Sequence, residues 1–424
     1  MPVRQRWVRS LTQRFQQAVW RGVMLMPDEL VSQVVMARGR LLSVEAQDVS
    51  EGFARRLRLV ERDPGTGAVV RERSLGFDVP DGQERCRLLQ IAGRWYVAHR
   101  PWADAPVPQG ILMPWPDSTG TGAPHDVIRA DLLPGGMARR LDDGECFNSD
   151  GQHLLVATVL PGQPGSDTRR WLLAACVDVA RAKLLWGART EIRFPIERYR
   201  HGARVGRFGD VVVARAATVR PPGGKRCCEV FAAFRADNGL ALWSRAAPRR
   251  GQPPAFDLVA DDERLYVNVD DSGVEAWRLD TGRTVWRKDV RRTIVADAVL
   301  HQGELNTFVG EGYPVPGSPR SVHPIAIETG QRGRVHKLGG EVEVVLSPSF
   351  VVLPRWILSA PDGRLLAWSI VHGDAPLAWR CWRLPGGLSA RDTAGRMFQI
   401  DARTILTYTP GTCTLTSFRV EAAR

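Results

Sequence analysis

Asp257 to Asp289 reads DLVADDERLYVNVDDSGVEAWRLDTGRTVWRKD. Leu265 to Val269 alternates as a strand does, sending successive side chains to opposite faces, and stops at the turn residues Asp270-Asp271-Ser272-Gly273. A second run, Val274 to Leu279, carries Trp277 and meets Asp280-Thr281-Gly282, after which Val285-Trp286 opens a third. The preceding segment has the same layout: Val230 to Arg235 with Phe234, then Asp237-Asn238-Gly239, then Leu242-Trp243. In both, the aromatic precedes the Asp by three, Gly follows the Asp by two, and Trp follows the Gly by four.

A unit of short strands with a glycine turn and a tryptophan, recurring about every 43 residues, is the signature of a β-propeller blade. Downstream, Ile325 to Gly330 matches Trp277 to Gly282, with Arg334 at the Trp position; Leu366 to Gly373 repeats it again, followed by Trp379. Upstream, Val177-Asp178 and Trp186 keep the spacing while Ala182 replaces the glycine, and Gly67 follows the strand Arg55 to Val60 with Arg71 in place of Trp. A further blade is expected in the weakly patterned region from Arg85 to Leu132. At the chain ends, Thr414 to Glu421 resembles Gly273 to Asp280, and Gln17 to Arg21, with Trp20, resembles Arg283 to Arg287. The sequence therefore predicts an all-β, eight-bladed propeller closed by pairing of the N- and C-terminal strands, with seven blades as the alternative. Such closure would remove two open sheet edges. Residues 17–424 then form one domain, preceded by a basic segment, residues 1–16, in which Trp7, Leu11 and Phe15 recur at helical spacing.

The pattern Asp-x-Gly-x-x-x-Trp after an alternating strand resembles the PQQ-like repeat of quinoprotein alcohol dehydrogenase-type propellers. The resemblance is strong over residues 230–290 and rests on periodicity elsewhere. It implies that Trp packs between neighbouring blades and that Gly makes the turn after the third strand. The repeat residues on this reading are Trp20, Gly67, Trp186, Asp237, Gly239, Trp243, Asp280, Gly282, Trp286, Gly330, Gly373 and Trp379. Both roles are structural. The resemblance points to the non-enzymatic branch and implies no quinone, because many members bind none.

Composition narrows the function further. With 44% hydrophobic residues in 424, the chain can bury a large core, yet no run approaches the 18 apolar residues of a membrane helix. Seven scattered cysteines without a Cys-x-x-Cys pair suggest neither a disulfide framework nor a zinc site, and Met1 to Met26 holds no secretory-length apolar run. The expectation is a cytoplasmic protein without cofactor or metal. The net charge of +12 is almost wholly arginine, the lysines being only Lys183, Lys225, Lys288 and Lys337, a skew typical of a GC-rich genome. It is uneven. Arg193, Arg198, Arg200, Arg204 and Arg207 fall in a basic stretch with Phe194 and Tyr199, which suits an acidic protein partner and, as a less favoured reading, nucleic acid. Trp102 and Trp115 lie in a proline-rich connection and are candidate protein-binding anchors. Nucleophile elbow, phosphate loop and His-Glu-x-x-His spacing are all missing from the sequence. The predicted function is a non-catalytic interaction subunit of a bacterial assembly. The alternatives are a hydrolase or lyase with a site in the central channel, and a nucleic-acid-binding propeller.

Overall fold

A computed structural model describes residues 24–25, 29–48, 54–80, 86–99, 110–115, 128–134, 137, 141, 146–160, 170–192, 203–217, 227–249, 258–270, 273–289, 294–301, 303–310, 319–337, 350–353, 356–359, 364–369, 378–383, 396–399, 404–409 and 414–419. Trp20, Trp102, Arg193, Arg198, Arg200 and Gly373 lie outside these residues, as does the basic segment 1–16. The described chain is nearly all β, with one short 3₁₀ turn at Ala130–Leu132.

Among the described residues the strands form antiparallel sheets of four, with a fifth short strand in one of them. In chain order the sheets cover residues 29–80, 86–129, 147–192, 204–249, 259–289, 294–337 and 350–383. In six of these, sequence neighbours are sheet neighbours; in the sheet 29–80, both Glu29–Leu30 and Val35–Ala37 pair with Arg40–Asp48. The remaining sheet places Met24–Leu25 beside Thr414–Arg419, followed by Thr404–Thr409 and Arg396–Gln399, with Met24 opposite Leu415. The region from Arg85 to Leu132 does hold a sheet, its strands being Cys86–Ile91, Arg94–His99, Gly110–Pro114 and Ile128–Arg129.

The chain divides into two compact units. One comprises Met1–Asp81, Phe308–Pro324 and Arg334–Arg424. Its most fully described part is the sheet of residues 29–80, where Leu41, Val44, Leu57, Leu59 and Val60 are buried. A charged pair is buried with them: Arg62 is 3% exposed, and Glu45 across the sheet is fully covered. The other unit comprises Gly82–Thr307 and Ile325–Gly333. Its core is a succession of apolar layers between consecutive sheets. Leu155, Ala174, Val212 and Phe234 fill the layer between sheets 147–192 and 204–249, and Val213, Phe231, Leu265 and Trp277 fill the next. Alternation explains this: each central strand is apolar on both faces because a sheet lies against each face.

Candidate functional site

The repeat residues generate a joint between successive sheets. Gly239, Gly282 and Gly330 have φ of 72°, 66° and 67°, the left-handed region that side chains disfavour. In each turn the glycine N–H bonds back to the carbonyl four residues earlier, at Arg235, Arg278 and Ala326. A Cβ at Gly239 would lie 2.7 Å from the Trp186 ring, one at Gly282 2.7 Å from Trp243, and one at Gly330 2.8 Å from Trp286. So each indole, carried on the outer strand of one sheet, lies flat on the glycine turn of the next. Its Nε1–H then donates to the carbonyl three residues before that glycine: Trp186 to Ala236 at 2.8 Å, Trp243 to Leu279 at 2.7 Å, Trp286 to Ile327 at 2.8 Å. The N–H of the same three residues donates to the first turn of its own sheet, at Asp210, Glu263 and Gly303. The backbone of one residue thus ties an inner turn to an outer turn and receives the neighbouring sheet.

Ala182 shows the converse. It holds the left-handed conformation without being glycine, at φ 47°, and the last strand of the preceding sheet, Ile128–Arg129, contains no tryptophan. Where no indole arrives from that strand, a methyl group is tolerated and only the backbone strain remains. Ala182→Gly is expected to be neutral or to stabilise by up to about 1 kcal/mol, whereas Gly282→Ala should cost about 2–4 kcal/mol from strain and collision with Trp243. Urea denaturation of the two variants distinguishes them.

Charged side chains add a second set of joints. Asp150 heads the turn between the first two strands of sheet 147–192, and its Oδ1 accepts the Gln152 and His153 N–H groups. Its Oδ2 accepts Arg207 Nη1 of the following sheet at 2.6 Å and meets His153 Nδ1 at 3.1 Å. These donors outweigh burial and hold the Asp150 carboxyl at about 2. Because the folded value lies below the ordinary one, the stabilisation is present above about pH 4 and lost as pH falls toward 2. Asp150→Asn should therefore destabilise at neutral pH, with the deficit closing on acidification, as thermal melts between pH 7 and 2 would read. Nearby, burial and the Asp150 charge push the Cys176 thiol up to about 12, so it remains protonated and poorly nucleophilic.

Between sheets 204–249 and 259–289, the Glu275 carboxylate, 7% exposed, gathers four donors. Arg245 Nη2 approaches at 3.0 Å, Arg287 Nη1 at 3.3 Å, Trp277 Nε1 at 2.6 Å and Thr284 Oγ1 at 3.2 Å. Arg245 also reaches the Gly282 carbonyl at 2.8 Å and stacks 4.0 Å over the Trp277 ring. In the next joint, Arg264 Nη2 bonds Glu328 at 2.8 Å, and Asp261 accepts Tyr266 Oη at 2.5 Å. Burial and the Asp261 charge hold the tyrosine hydroxyl protonated.

Arg207, predicted as a partner-binding residue, is thus bonded within the molecule to Asp150 and to the Gly209 carbonyl. Arg204 lies on the same strand, half-buried and opposite Arg215. Trp115 follows the strand Gly110–Pro114, half-buried, its N–H donating to the Trp95 carbonyl. Trp379 stands opposite Trp368 in the sheet 350–383. Asp237 is exposed on its turn, and Asp280 bonds Arg278 at 3.0 Å, which lowers its pKa. The Glu275, Asp150 and Arg264 joints are absent from the sequence reading, because their partners come from separate sheets. Among the described residues no three His, Cys, Asp or Glu side chains converge as a metal site, and no helix is long and apolar enough to cross a membrane.

No family model matches the sequence, and no curated protein matches it. Solved structures do. The computationally designed Ika8 protein is similar over 94% of this chain and all of its own, at 13% identity and a TM-score of 0.52. The C-terminal WD40 domain of Sif2 covers 95% of this chain and 98% of its own, at 10% identity and a TM-score of 0.49. BamB from Moraxella catarrhalis covers 94% and 100%, at 9% identity and a TM-score of 0.37. The succession of four-stranded antiparallel sheets supports a β-propeller fold, and at 13% identity the likeness to Ika8 speaks to the fold alone.

Proposed function

We propose that this chain is a non-catalytic propeller of the PQQ-like type, a rigid interaction subunit in a bacterial multi-protein assembly. In this reading residues 17–424 form a single eight-bladed domain, which the pairing of Met24–Leu25 with Thr414–Leu415 closes. The observation that carries the functional part is the saturation of the charged clusters. Asp150 and Glu275 each engage donors from two neighbouring sheets, and Arg264 bridges to Glu328. These charged groups, among the described residues, are therefore bonded within the molecule, in joints that stiffen the sheet series. A stiff series of sheets with turns and connecting loops at its edges suits protein recognition, where preorganisation reduces the cost of binding. Work in the cytoplasm accords with Cys86, Cys146 and Cys176, which are buried as free thiols.

Affinity purification from the native organism at low and moderate salt tests the proposal. A stoichiometric second polypeptide that survives moderate salt is the expected result. A lone monodisperse chain, or one that retains nucleic acid only at low salt, would overturn it; the salt dependence of counterion release identifies the latter.

A further inference from the structure

The chain has four asparagines, Asn148, Asn238, Asn268 and Asn306, and only Asn238 precedes a glycine. Asn268 and Asn306 are buried in strands, and Asn148 is half-buried with its Nδ2 donating to the Val205 carbonyl at 2.8 Å. Asn238 is exposed in the turn that leads into Gly239. Its counterparts before Gly67, Gly282 and Gly330 are Thr66, Thr281 and Thr329. Two of these show what the position does. The Thr66 and Thr329 hydroxyls accept the N–H of the residue after the glycine, Ala68 at 3.3 Å and Gln331 at 3.2 Å. Asn238 Oδ1 does the same for Leu240 at 2.9 Å. Threonine and asparagine can both cap a turn in this way, but only asparagine sets an electrophilic side-chain carbonyl beside the glycine nitrogen.

The chemistry that this juxtaposition allows is intramolecular. The Gly239 nitrogen, giving its proton to solvent base, bonds to Asn238 Cγ; the Cγ–Nδ2 bond breaks and the amide nitrogen leaves as ammonia. Water then opens the cyclic imide at either carbonyl, leaving aspartate or isoaspartate, with nothing oxidised or reduced. Glycine puts no side chain in the way of ring closure. The folded turn opposes the first step. Gly239 N–H is committed to the Arg235 carbonyl at 2.9 Å and Asn238 Oδ1 to the Leu240 N–H, while the glycine is buried against the Trp186 ring. The nitrogen is released for attack only when the turn opens locally.

We infer that Asn238 is a site of spontaneous deamidation held off by the folded turn, so that the modification marks molecules in which this turn has opened. The isoaspartate product lengthens the main chain by a methylene group within the loop that the Gly239-to-Arg235 and Arg235-to-Leu240 bonds close, at 2.9 and 2.8 Å. The mark therefore also weakens the turn. The full chain, folded or in guanidinium chloride, is incubated in mildly alkaline buffer and mapped by peptide mass spectrometry. The mass gain of deamidation is expected at Asn238 ahead of the other three asparagines, and at least about tenfold more slowly in the folded chain. Equal rates in the two states, no gain at Asn238 in denaturant, or a faster gain at another asparagine would overturn the inference. Asn238→Thr keeps a capping hydroxyl, so it should fold and show no gain in that peptide; a gain there would overturn the assignment. Refolded chains should have a urea midpoint that falls as their isoaspartate content rises, and an unchanged midpoint would overturn the weakening of the turn.

Discussion

Trp277→Ala is expected to cost about 4–5 kcal/mol, among the largest losses available to one substitution in this chain. The indole is 1% exposed and lies between two sheets. It meets Phe231 edge-on at 5.5 Å and Trp243 at 6.1 Å, and carries the Arg245 guanidinium on its face. Removal empties a large volume, unseats the docking Trp243 and deletes a donor from the buried Glu275. Trp277→Phe is the control. Phe234 holds the corresponding place in the preceding sheet, so phenylalanine should fill most of the space and lose about 1–2 kcal/mol with the N–H. Urea denaturation resolves the two; an alanine variant within about 1 kcal/mol of wild type would contradict the packing argument.

Arg62→Leu is expected to cost about 3–5 kcal/mol, because it strands a carboxylate in the interior. Arg62 Nη2 reaches both Glu45 oxygens, at 2.9 and 2.8 Å, and Nε adds a bond of 3.1 Å; Ser43 Oγ donates at 2.9 Å. Even so matched, burial raises the Glu45 pKa above the usual carboxylate range. Without the guanidinium the rise is larger. An acid whose folded pKa is raised penalises folding fully above that value and not at all below the unfolded one. The deficit of Arg62→Leu should thus be greatest near neutrality and shrink as pH falls through the Glu45 pKa. Glu45→Leu combined with Arg62→Leu should recover most of the loss, since no buried charge then remains. Denaturation midpoints of the single and double variants at two pH values would show both effects. A double variant as unstable as the single would mean that the pair itself, and not the orphaned charge, is what matters.

How far the sequence could be read follows from where its signals are local. The strand, the glycine turn and the tryptophan sit within one unit, so Trp243, Gly282 and Trp286 were legible in position. Ala182 was legible only as a departure from the pattern; the tryptophan-free strand Ile128–Arg129 supplies its reason. The charged joints are different in kind. Asp150 and Arg207 are 57 residues apart, Arg264 and Glu328 64, and Arg245 and Glu275 30, with nothing in sequence to pair them. Arg207, which composition places in a basic stretch, is bonded to Asp150 and to the Gly209 carbonyl, a pairing that composition does not reveal. In the sheet 29–80, Arg62 takes the core position that Trp277 holds in sheet 259–289. A window that scores apolar alternation passes over that substitution, although the buried Glu45 on the adjacent strand makes it physically consistent.

The claim that indoles lock the sheets from 147–192 to 294–337 in series is tested most directly by hydrogen exchange at the indole N–H groups of Trp186, Trp243 and Trp286, followed by NMR and assigned through Trp→Phe variants. If the indoles lie on their glycines and donate to Ala236, Leu279 and Ile327, all three should exchange only when the sheets part, slowly and with protection near that of the central strands. Exchange of these protons as fast as in an exposed tryptophan, in an otherwise protected chain, would contradict the account.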